Sequence, residues 1–343
     1  MSRITPLIRE NIAALTPYST ARDEYTGPLG IFLDANESPY ENGYNRYPDP
    51  HQARLKACIG ALKGISAEHL FLGNGSDEAI DLVFRIFCEP GRDNVVAIAP
   101  SYGMYTVAAA INDIAVRSVQ LEADFSLDTG KLLAAADKRT KALFLCSPNN
   151  PSGNAFPREQ LLDIADRFPG VVVVDEAYAD FSDRGSLAGE AVKQDNLVVL
   201  QTLSKARAMA GLRIGLAISS DETIRLLSMV KYPYNLGTAA MEKALELLQR
   251  PVDSEIATVK AERRRLSDAL AAFPFIRRIF PSDANFLLVR TDDADALYDH
   301  LLRGGIIVRN RTRVRGCEGC LRLTVGLPEE NDALLRALNT YQP

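Results

Sequence analysis

The sequence predicts an α/β protein with a large, mostly parallel sheet and a smaller α+β domain. Between about residues 70 and 220, short β-branched runs alternate with helical patterns, as in a sheet covered by helices on both faces. Four consecutive valines at residues 171–174 indicate a strand buried on both sides. The last third instead has longer helical stretches before its strands. We therefore expect an N-terminal arm at residues 1–30, a large domain at 31–235 and a small domain at 236–343.

Local hydrophobic patterns predict the following helices and strands, given in chain order. Residues 4–15 predict a helix that precedes the large domain and packs on the small one. After Gly75, apolar side chains recur at helical spacing up to Phe87. The strands predicted in the large domain are residues 94–99, 115–119, 141–146, 171–176, 197–203 and 212–219. In the small domain we predict helices at 238–249, 253–273 and 293–302, strands at 286–290, 306–309 and 321–325, and a closing helix.

Composition and charge argue against several classes of function. The 343 residues are 47% hydrophobic and 24% charged, with a net charge of −5, so nothing indicates a nucleic-acid or membrane partner. No apolar run is long enough to cross a membrane and the first ten residues carry charges, so we expect a cytoplasmic protein. Cys317 and Cys320 lack the further ligands of a structural zinc, which predicts a turn there and no metal site.

Lys205 carries the strongest chemical signal, because Ser204-Lys205 comes directly after a predicted strand. A buried ammonium is costly, and its pKa falls until the amine is nucleophilic, as imine formation with an aldehyde requires. A lysine in a solvated loop is the ordinary alternative, which this pair alone would not exclude. Four further motifs near strand ends favour a site for pyridoxal phosphate (PLP).

Two of these motifs place polar side chains after apolar strands. Asp175 and Asn150 come at positions where α/β proteins bind ligands. Asp175 would keep a pyridine nitrogen protonated, while Tyr178 and Asn150 could donate hydrogen bonds to the phenolic oxygen of the same ring. Metal binding by Asp175 and Glu176 is a weaker alternative, because adjacent strand residues point to opposite faces.

The third motif, at residues 73–78, lies between a strand and a helix. Glycines there allow a ligand to approach the backbone, and the free N–H groups of a helix start attract phosphate. The motif lacks the spacing of nucleotide-binding loops. The predicted phosphate ligands are the N–H groups of Ser76 and Asp77, the Ser204 hydroxyl and the Arg213 guanidinium.

The fourth motif, Ser101-Tyr102-Gly103-Met104-Tyr105, follows another predicted strand. An aromatic side chain at this position can lie over the face of a pyridine ring. We predict this stacking for Tyr102, and we predict core packing for Tyr105.

These motifs resemble those of the fold-type I PLP-dependent aminotransferases, and more narrowly those of the histidinol-phosphate aminotransferase family. The match runs nearly end to end and includes residues 15–18, 33–39, 45–48, 282–286 and 321–326. The resemblance implies a transaminase of histidine biosynthesis, which interconverts histidinol phosphate and 2-oxoglutarate with imidazole acetol phosphate and glutamate. It implies that Lys205 holds PLP as a Schiff base and moves the proton between the substrate carbon and the cofactor.

The resemblance also implies roles that the motifs alone do not assign. Tyr47 would complete the phosphate site of the other subunit, which implies a homodimer with shared active sites. Arg322 would bind the α-carboxylate of glutamate. Arg309 and Tyr18 would assist with the substrate phosphate, and Asn36 would border the same pocket. How the two arginines divide the anions between the half-reactions stays open.

Two positions depart from the family pattern, and both concern substrate choice. Arg207 stands where an aromatic residue is frequent, and residues 231–235 differ from several relatives. The alternatives left open are an aromatic amino acid aminotransferase and a phosphothreonine decarboxylase, which share the cofactor residues. A PLP-binding transcription regulator would need an added basic DNA-binding domain, so we regard it as a remote alternative.

Overall fold

The computed structural model describes residues 3–20 and 30–342, and within them the larger sheet has seven strands. The strands are β1 (Leu70–Asn74), β2 (Asn94–Ala99), β3 (Ala115–Gln120), β4 (Thr140–Cys146), β5 (Val171–Asp175), β6 (Leu197–Thr202) and β7 (Ile214–Ile218). Their order across the sheet is β1-β7-β6-β5-β4-β2-β3. The predicted strands of the large domain are all present, with ends that differ by no more than two residues.

Strand direction brings many chain segments to one edge of this sheet. β2 to β6 are mutually parallel, whereas β7 runs antiparallel to both β6 and β1. The carboxyl ends of β1, β2, β4, β5 and β6 therefore lie at the same edge as the start of β7. That edge is where open α/β sheets bind ligands.

Helices cover this sheet and the second one. The helices are α1 (Glu10–Ala13), α2 (Ala53–Lys63), α3 (Ser76–Phe87), α4 (Met104–Ile111), α5 (Thr129–Ala134), α6 (Arg158–Arg167), α7 (Ala188–Ala191), α8 (Asp221–Val230), α9 (Thr238–Leu247), α10 (Asp253–Leu270), α11 (Ala294–Arg303) and α12 (Pro328–Asn339). No helix in the described ranges is both long and apolar enough to cross a membrane.

The valine run of β5 explains why the large sheet needs helices on both faces. Val172 and Val174 belong to a core cluster shared with α2 and α6, while Val171 and Val173 belong to a second cluster shared with α3, α4 and α8. All four valines are essentially inaccessible to solvent. Full burial of such a side chain stabilises the fold by about 1.5–3 kcal/mol, so the run holds the centre of the sheet in place.

The smaller sheet contains β8 (Ile276–Ile279), β9 (Phe286–Thr291), β10 (Arg309–Asn310) and β11 (Cys320–Thr324), in the order β10-β11-β9-β8 and entirely antiparallel. Its apolar side chains pack on α10, α11 and α12. β8 was missed by the sequence prediction, because two arginines separate its half-buried isoleucines. The strand predicted at residues 306–309 forms only at its last residue and extends to Asn310.

The N-terminal arm packs differently from the prediction. Ile4 and Ile12 join the large-sheet core beside α3, and the Arg9 N–H donates to the Ile86 carbonyl at 3.0 Å. Residues 4–12 of the arm therefore lie on the large domain, because α3 offers the apolar surface that these isoleucines need. The helix predicted over residues 4–15 is also broken, since only residues 10–13 form an α-helix.

Helix α9 begins just after the expected domain boundary at residue 235, yet it packs on the large sheet. Its Met241 and Ala244 lie in the same core cluster as Leu55 and Ile59 of α2. In chain order, α10 is the first helix that packs on the smaller sheet. The two parts of the chain meet around Tyr178 and Phe286, whose rings make an edge-on contact with centroids 5.2 Å apart.

Candidate active site

A cleft opens at the edge of the large sheet where the strand ends converge. It is lined by Gly75, Ser76, Asp77, Tyr102, Cys146, Asn150, Asp175, Ala177, Tyr178, Thr202, Ser204, Lys205 and Arg213. Every motif that the sequence placed after a strand contributes to this lining. The cleft thus brings together nine of the predicted site residues, from Ser76 to Arg213.

Asp175 lies buried at the floor of the cleft as the last residue of β5. Its Oδ2 accepts a hydrogen bond from the Tyr105 hydroxyl at 2.8 Å, and its Oδ1 accepts one from the Ala177 N–H at 3.0 Å. Burial raises the pKa of Asp175 to about 6, although the Tyr105 and Ala177 hydrogen bonds oppose that shift. A cationic group bound in the cleft would restore its ionised form.

The start of α3 and Arg213 form a cup at one side of the cleft. Gly75 has a positive φ of 76°, and its N–H donates to the Arg213 carbonyl at 2.7 Å. A side chain at Gly215 would come within 2.0 Å of the Ser76 nitrogen, so glycine is needed for β7 to approach the helix. Arg213 Nη2 lies 3.6 Å from Asp77 Oδ2. Helix N–H groups and a guanidinium together suit a phosphate.

Tyr102 borders the same cup from the next strand end. Its hydroxyl donates to Asp77 Oδ1 at 3.1 Å, and its ring meets the Tyr105 ring edge-on with centroids 5.7 Å apart. Partial burial and the Asp77 carboxylate raise the pKa of Tyr102, so it stays a neutral donor. Its ring is therefore held in one place beside the cleft.

Two adjacent asparagines follow β4, and only the second faces the cleft. Asn149 is fully buried, and its side chain ties the loop together by donating to the Pro100 carbonyl and to Ser152. Asn150 lines the cleft and accepts a hydrogen bond at Oδ1 from Arg322 Nη1 at 2.5 Å. This contact leaves the Asn150 amide nitrogen free to donate into the cleft.

Lys205 lines the cleft together with Asp175. Its Nζ lies 5.7 Å from the centroid of the Tyr178 ring. Partial burial, followed by the charges of Arg322 and Arg213, lowers the pKa of Lys205. A larger fraction of the amine is therefore neutral and nucleophilic than in a solvated lysine.

Four predicted residues lie outside this cleft in the single chain. Tyr47 stacks on Tyr234 with centroids 4.5 Å apart, and Tyr18 is 73% exposed in a separate surface groove. Asn36 is exposed with a positive φ of 54°, and Arg309 is exposed on β10. Arg322 does reach the site, through its hydrogen bond to Asn150.

The two positions that depart from the family pattern also lie away from the cleft lining. Burial lowers the pKa of Lys63, Asp180 opposes that shift, and Arg207 is close enough for its charge to lower the pKa further. In the segment 231–235, the Asn235 amide accepts from Gln52 and donates to the Glu78 carboxylate, so it anchors the start of α3.

The structure also separates Asp175 from Glu176. Glu176 points away from the cleft, where it accepts hydrogen bonds from the Leu187 N–H and the Gln201 amide. Among the described residues, no group of three or more histidine, cysteine or acidic side chains is placed to hold a metal ion. Cys317 and Cys320 are free and buried, with Cys317 in the turn before β11 and Cys320 as the first residue of that strand. Burial raises the pKa of Cys317 to about 12.

Tyr105 contributes to the site but was not among the predicted site residues. Arg311 was not predicted either, and it lies near enough to the cleft for its charge to act on the Tyr178 hydroxyl. Tyr105 is buried in the core as expected, and its hydroxyl holds Asp175. A buried tyrosine usually has a hydrogen-bond partner, which was the available signal. Arg311 is two residues beyond Arg309, the spacing that places both side chains on one face of a strand.

Comparison with known proteins agrees with this geometry. The family described as aminotransferase class I and II matches residues 33–338. A histidinol-phosphate aminotransferase of Parabacteroides distasonis is 52% identical over the full length of both chains. One from Bacteroides fragilis is 50% identical, also over the full length of both chains.

Solved structures give the same result. The histidinol-phosphate aminotransferase of Sinorhizobium meliloti in complex with pyridoxal-5'-phosphate has a TM-score of 0.78 and 25% identity, and the match covers 85% of this chain and 82% of that one. The histidinol-phosphate aminotransferase of Clostridium acetobutylicum has a TM-score of 0.78 and 26% identity, with 85% and 89% covered.

The cleft suits PLP, the cofactor that these comparisons indicate. A primary amine, a buried carboxylate and a phosphate-type cup surround one cavity, as an aldehyde, a pyridine nitrogen and a phosphate require. The chain belongs to the aminotransferase class I and II family and, within it, to the histidinol-phosphate aminotransferases, which are PLP-dependent transaminases.

Proposed function

We propose that the protein transfers the amino group between histidinol phosphate and 2-oxoglutarate, with imidazole acetol phosphate and glutamate as the other pair. The observation that carries this proposal is the convergence of Lys205, Asp175 and the α3 cup on one cleft that Arg322 borders. The names and full-length identity of the relatives support the choice of substrate.

In this proposal the large sheet holds the cofactor. PLP, when bound, supplies the electron sink that stabilises negative charge at the substrate carbon. Asp175 would accept from its pyridine nitrogen, with Tyr105 holding the carboxylate in place. Because Asn150 Oδ1 is occupied by Arg322, its amide nitrogen would donate to the phenolic oxygen together with the Tyr178 hydroxyl.

The phosphate end of the cofactor would bind at the start of α3. The proposed ligands are the N–H groups of Ser76 and Asp77, the Ser204 hydroxyl and the Arg213 guanidinium. The helix start and the guanidinium both favour a dianion. Tyr102 would lie on the ring face, since its hydroxyl is anchored to Asp77 at the edge of the same cup.

Lys205 would bind the cofactor aldehyde and later carry the proton to and from the substrate carbon. Its pKa is lowered by partial burial and by Arg322 and Arg213. A base whose pKa lies nearer neutrality can accept and return a proton at working pH. The amine is therefore suited to both tasks.

Substrate anions would bind on the side of the small sheet. Arg322, beside Asn150, would hold the α-carboxylate of glutamate. Arg309 would serve the phosphate, since it lies directly opposite Arg322 in the antiparallel pair of β10 and β11 and so shares its face. Tyr18 and Asn36 would complete the pocket from the N-terminal segment.

We further propose a homodimer with shared active sites, in which Tyr47 completes the phosphate site of the partner. Tyr47 lies outside the cleft of its own chain. Nearby, Ile31 and Leu33 are 90% and 88% exposed, and Tyr40 is 83% exposed. A patch of this kind usually marks a protein interface. Sedimentation should find a dimer, and a fully active monomer would refute this part of the proposal.

We also propose a cytoplasmic location. All five cysteines are free, as is usual for a chain kept in a reducing compartment. Fractionation of the source cells, with an antibody against the protein, tests this location directly.

The decisive experiment compares substrates. With 2-oxoglutarate as acceptor, we expect kcat/KM for histidinol phosphate to exceed that for phenylalanine by at least about 100-fold, because a paired phosphate contributes several kcal/mol of binding. A preference for phenylalanine would indicate an aromatic aminotransferase. Release of CO2 from O-phosphothreonine would indicate a decarboxylase, whose fold is similar at 22% identity and a TM-score of 0.72.

A further inference from the structure

Three arginines share one face of the small sheet next to the cleft. Arg309 is opposite Arg322 in the register of β10 and β11. Arg311, two residues on, donates its backbone N–H to the Cys320 carbonyl at 2.8 Å and so continues the pairing. Residues spaced by two along a strand face the same way, so all three side chains point to one side.

In the part of the chain that the structure describes, these arginines have no acidic partner. Within residues 3–20 and 30–342, no ion pair is found for Arg309, Arg311 or Arg322, whereas Arg265 of α10 and Arg277 of β8 each have an acidic partner. The Nε atoms of Arg311 and Arg322 are both buried and make no hydrogen bond to any described residue. A buried donor without a partner costs about 1–3 kcal/mol, and here two lie side by side.

The charges are close enough to act on one another and on the cleft. Burial and then the Arg309 charge lower the pKa of Arg311, while burial and then the Arg311 charge lower that of Arg322. Arg311 and Arg322 also both lower the pKa of the Tyr178 hydroxyl, against the larger effect of burial, which raises it. Arg311 is thus near the same cleft wall as Arg322.

We propose that Arg311 is a third anion-binding residue of the substrate site, and that it sets the preference for a doubly charged phosphate ester over a singly charged carboxylate. This inference rests on the proposed function for the identity of the ester. The geometry supports it independently, since orphaned donors and uncompensated cations on one face form a site for an anion of more than one charge. A monocarboxylate could pair with only one arginine fork at a time.

The test uses the holoenzyme, in which PLP already occupies the cofactor cup. Arg311→Gln should reduce kcat/KM for histidinol phosphate by about 30-fold, through KM, with less than about threefold change for glutamate. Arg311→Lys keeps the positive charge but loses the two-pronged guanidinium donor. Its kcat/KM for histidinol phosphate should lie between those of the wild type and Arg311→Gln. Arg313→Gln is the matched control, because Arg313 is exposed two residues further on. An equal loss of kcat/KM for both substrates, or no loss for histidinol phosphate in Arg311→Gln, overturns the proposal.

A second readout separates binding from structure and from the proposed function. Inorganic phosphate should raise the Tm of the wild-type holoenzyme and inhibit the glutamate half-reaction competitively, and Arg311→Gln should weaken both effects about tenfold. The variant's own Tm without phosphate should be equal or higher, since a like-charge contact is relieved. A lower Tm with unchanged phosphate binding would make Arg311 a structural residue only.

If the wild type shows no preference for histidinol phosphate, the proposed function fails. The phosphate readout then still decides the role of Arg311.

Discussion

The two ends of the cleft are built differently. At the end formed by the large sheet, polar side chains already have partners. Tyr105 holds Asp175, and Tyr102 and Arg213 both contact Asp77. At the end formed by the small sheet, Arg311 and Arg322 each have a buried Nε donor without a partner among the described residues. The first end is therefore preorganised for a resident ligand, whereas the second carries unpaired charge that only a transient anion relieves.

This difference follows from what each end has to do. A cofactor that stays bound gains from side chains whose positions are set before it arrives, because no reorganisation is then needed. A substrate must leave after each turnover. Donors that have no partner between turnovers can bind an anion and still release it. Leaving them unpaired lowers the free energy of unfolding, which the packing of the rest of the fold offsets.

The largest effect is expected at the preorganised end. Lys205→Ala should lower kcat by about 10⁴-fold, since both the amine that binds the cofactor and the proton carrier are lost. The visible absorption of the lysine-bound cofactor should disappear, while PLP itself can still occupy the cup. Stopped-flow assays and spectra measure both effects. Lys193→Ala, an exposed lysine, is the control, and a Lys205→Ala enzyme that turns over normally would contradict the assignment.

Asp175→Asn should lower kcat by about 10²–10³-fold, because the pyridine nitrogen loses its ionised partner. The same variant should change how the apoprotein responds to pH. The folded-state pKa of Asp175 is raised to about 6 by burial, so the folded wild type binds the proton more tightly than the unfolded chain. Wild-type stability should therefore fall as pH rises from about 4 to 6, by about 2–3 kcal/mol relative to Asp175→Asn.

Urea unfolding of both apoproteins at pH 4 and pH 7 measures this difference. A gap between wild type and variant that does not change with pH would show that Asp175 ionises in the folded protein as it does in water.

Tyr47→Phe should weaken PLP binding by about tenfold, the value of one hydrogen bond to a charged group, without dissociating the dimer. Equilibrium dialysis and sedimentation test the two parts. Tyr44→Phe is a matched control on the same exposed segment. If PLP binding is unchanged in Tyr47→Phe, the shared-site proposal loses its main residue.

Tyr105→Phe should have the smallest effect, a decrease in kcat of about threefold to tenfold. The lost hydrogen bond lowers the pKa of Asp175 in the wild type, so the variant should show a higher Asp175 pKa and an acidic limb of the rate profile displaced to higher pH. Tyr298→Phe, in the small domain, is the control. An unchanged profile would mean that Tyr105 only fills space.

The cofactor end could be predicted because its residues sit next to strand ends. Asp175 and Lys205 are each within three residues of a parallel strand, and parallel strands bring their carboxyl ends to one edge. The end of the cleft formed by the small sheet was harder to predict from the sequence. The position of Arg311 beside Arg309 and Arg322 is evident only once β10 is paired with β11. The alternation in residues 309–311 is too short to predict a strand from the sequence.

Local pattern and composition thus determined the fold class, the strands of the large sheet and the set of residues that meet at its edge. Only the tertiary structure decided that Asn149 holds the loop while Asn150 faces the cleft, that the N-terminal arm packs on α3, and that Tyr105 reaches Asp175. The reason is physical. The periodicity of a sequence shows which side of a helix or strand is apolar. It does not show which distant part of the chain packs against that side, and the contacts of Asn149, the N-terminal arm and Tyr105 depend on that packing.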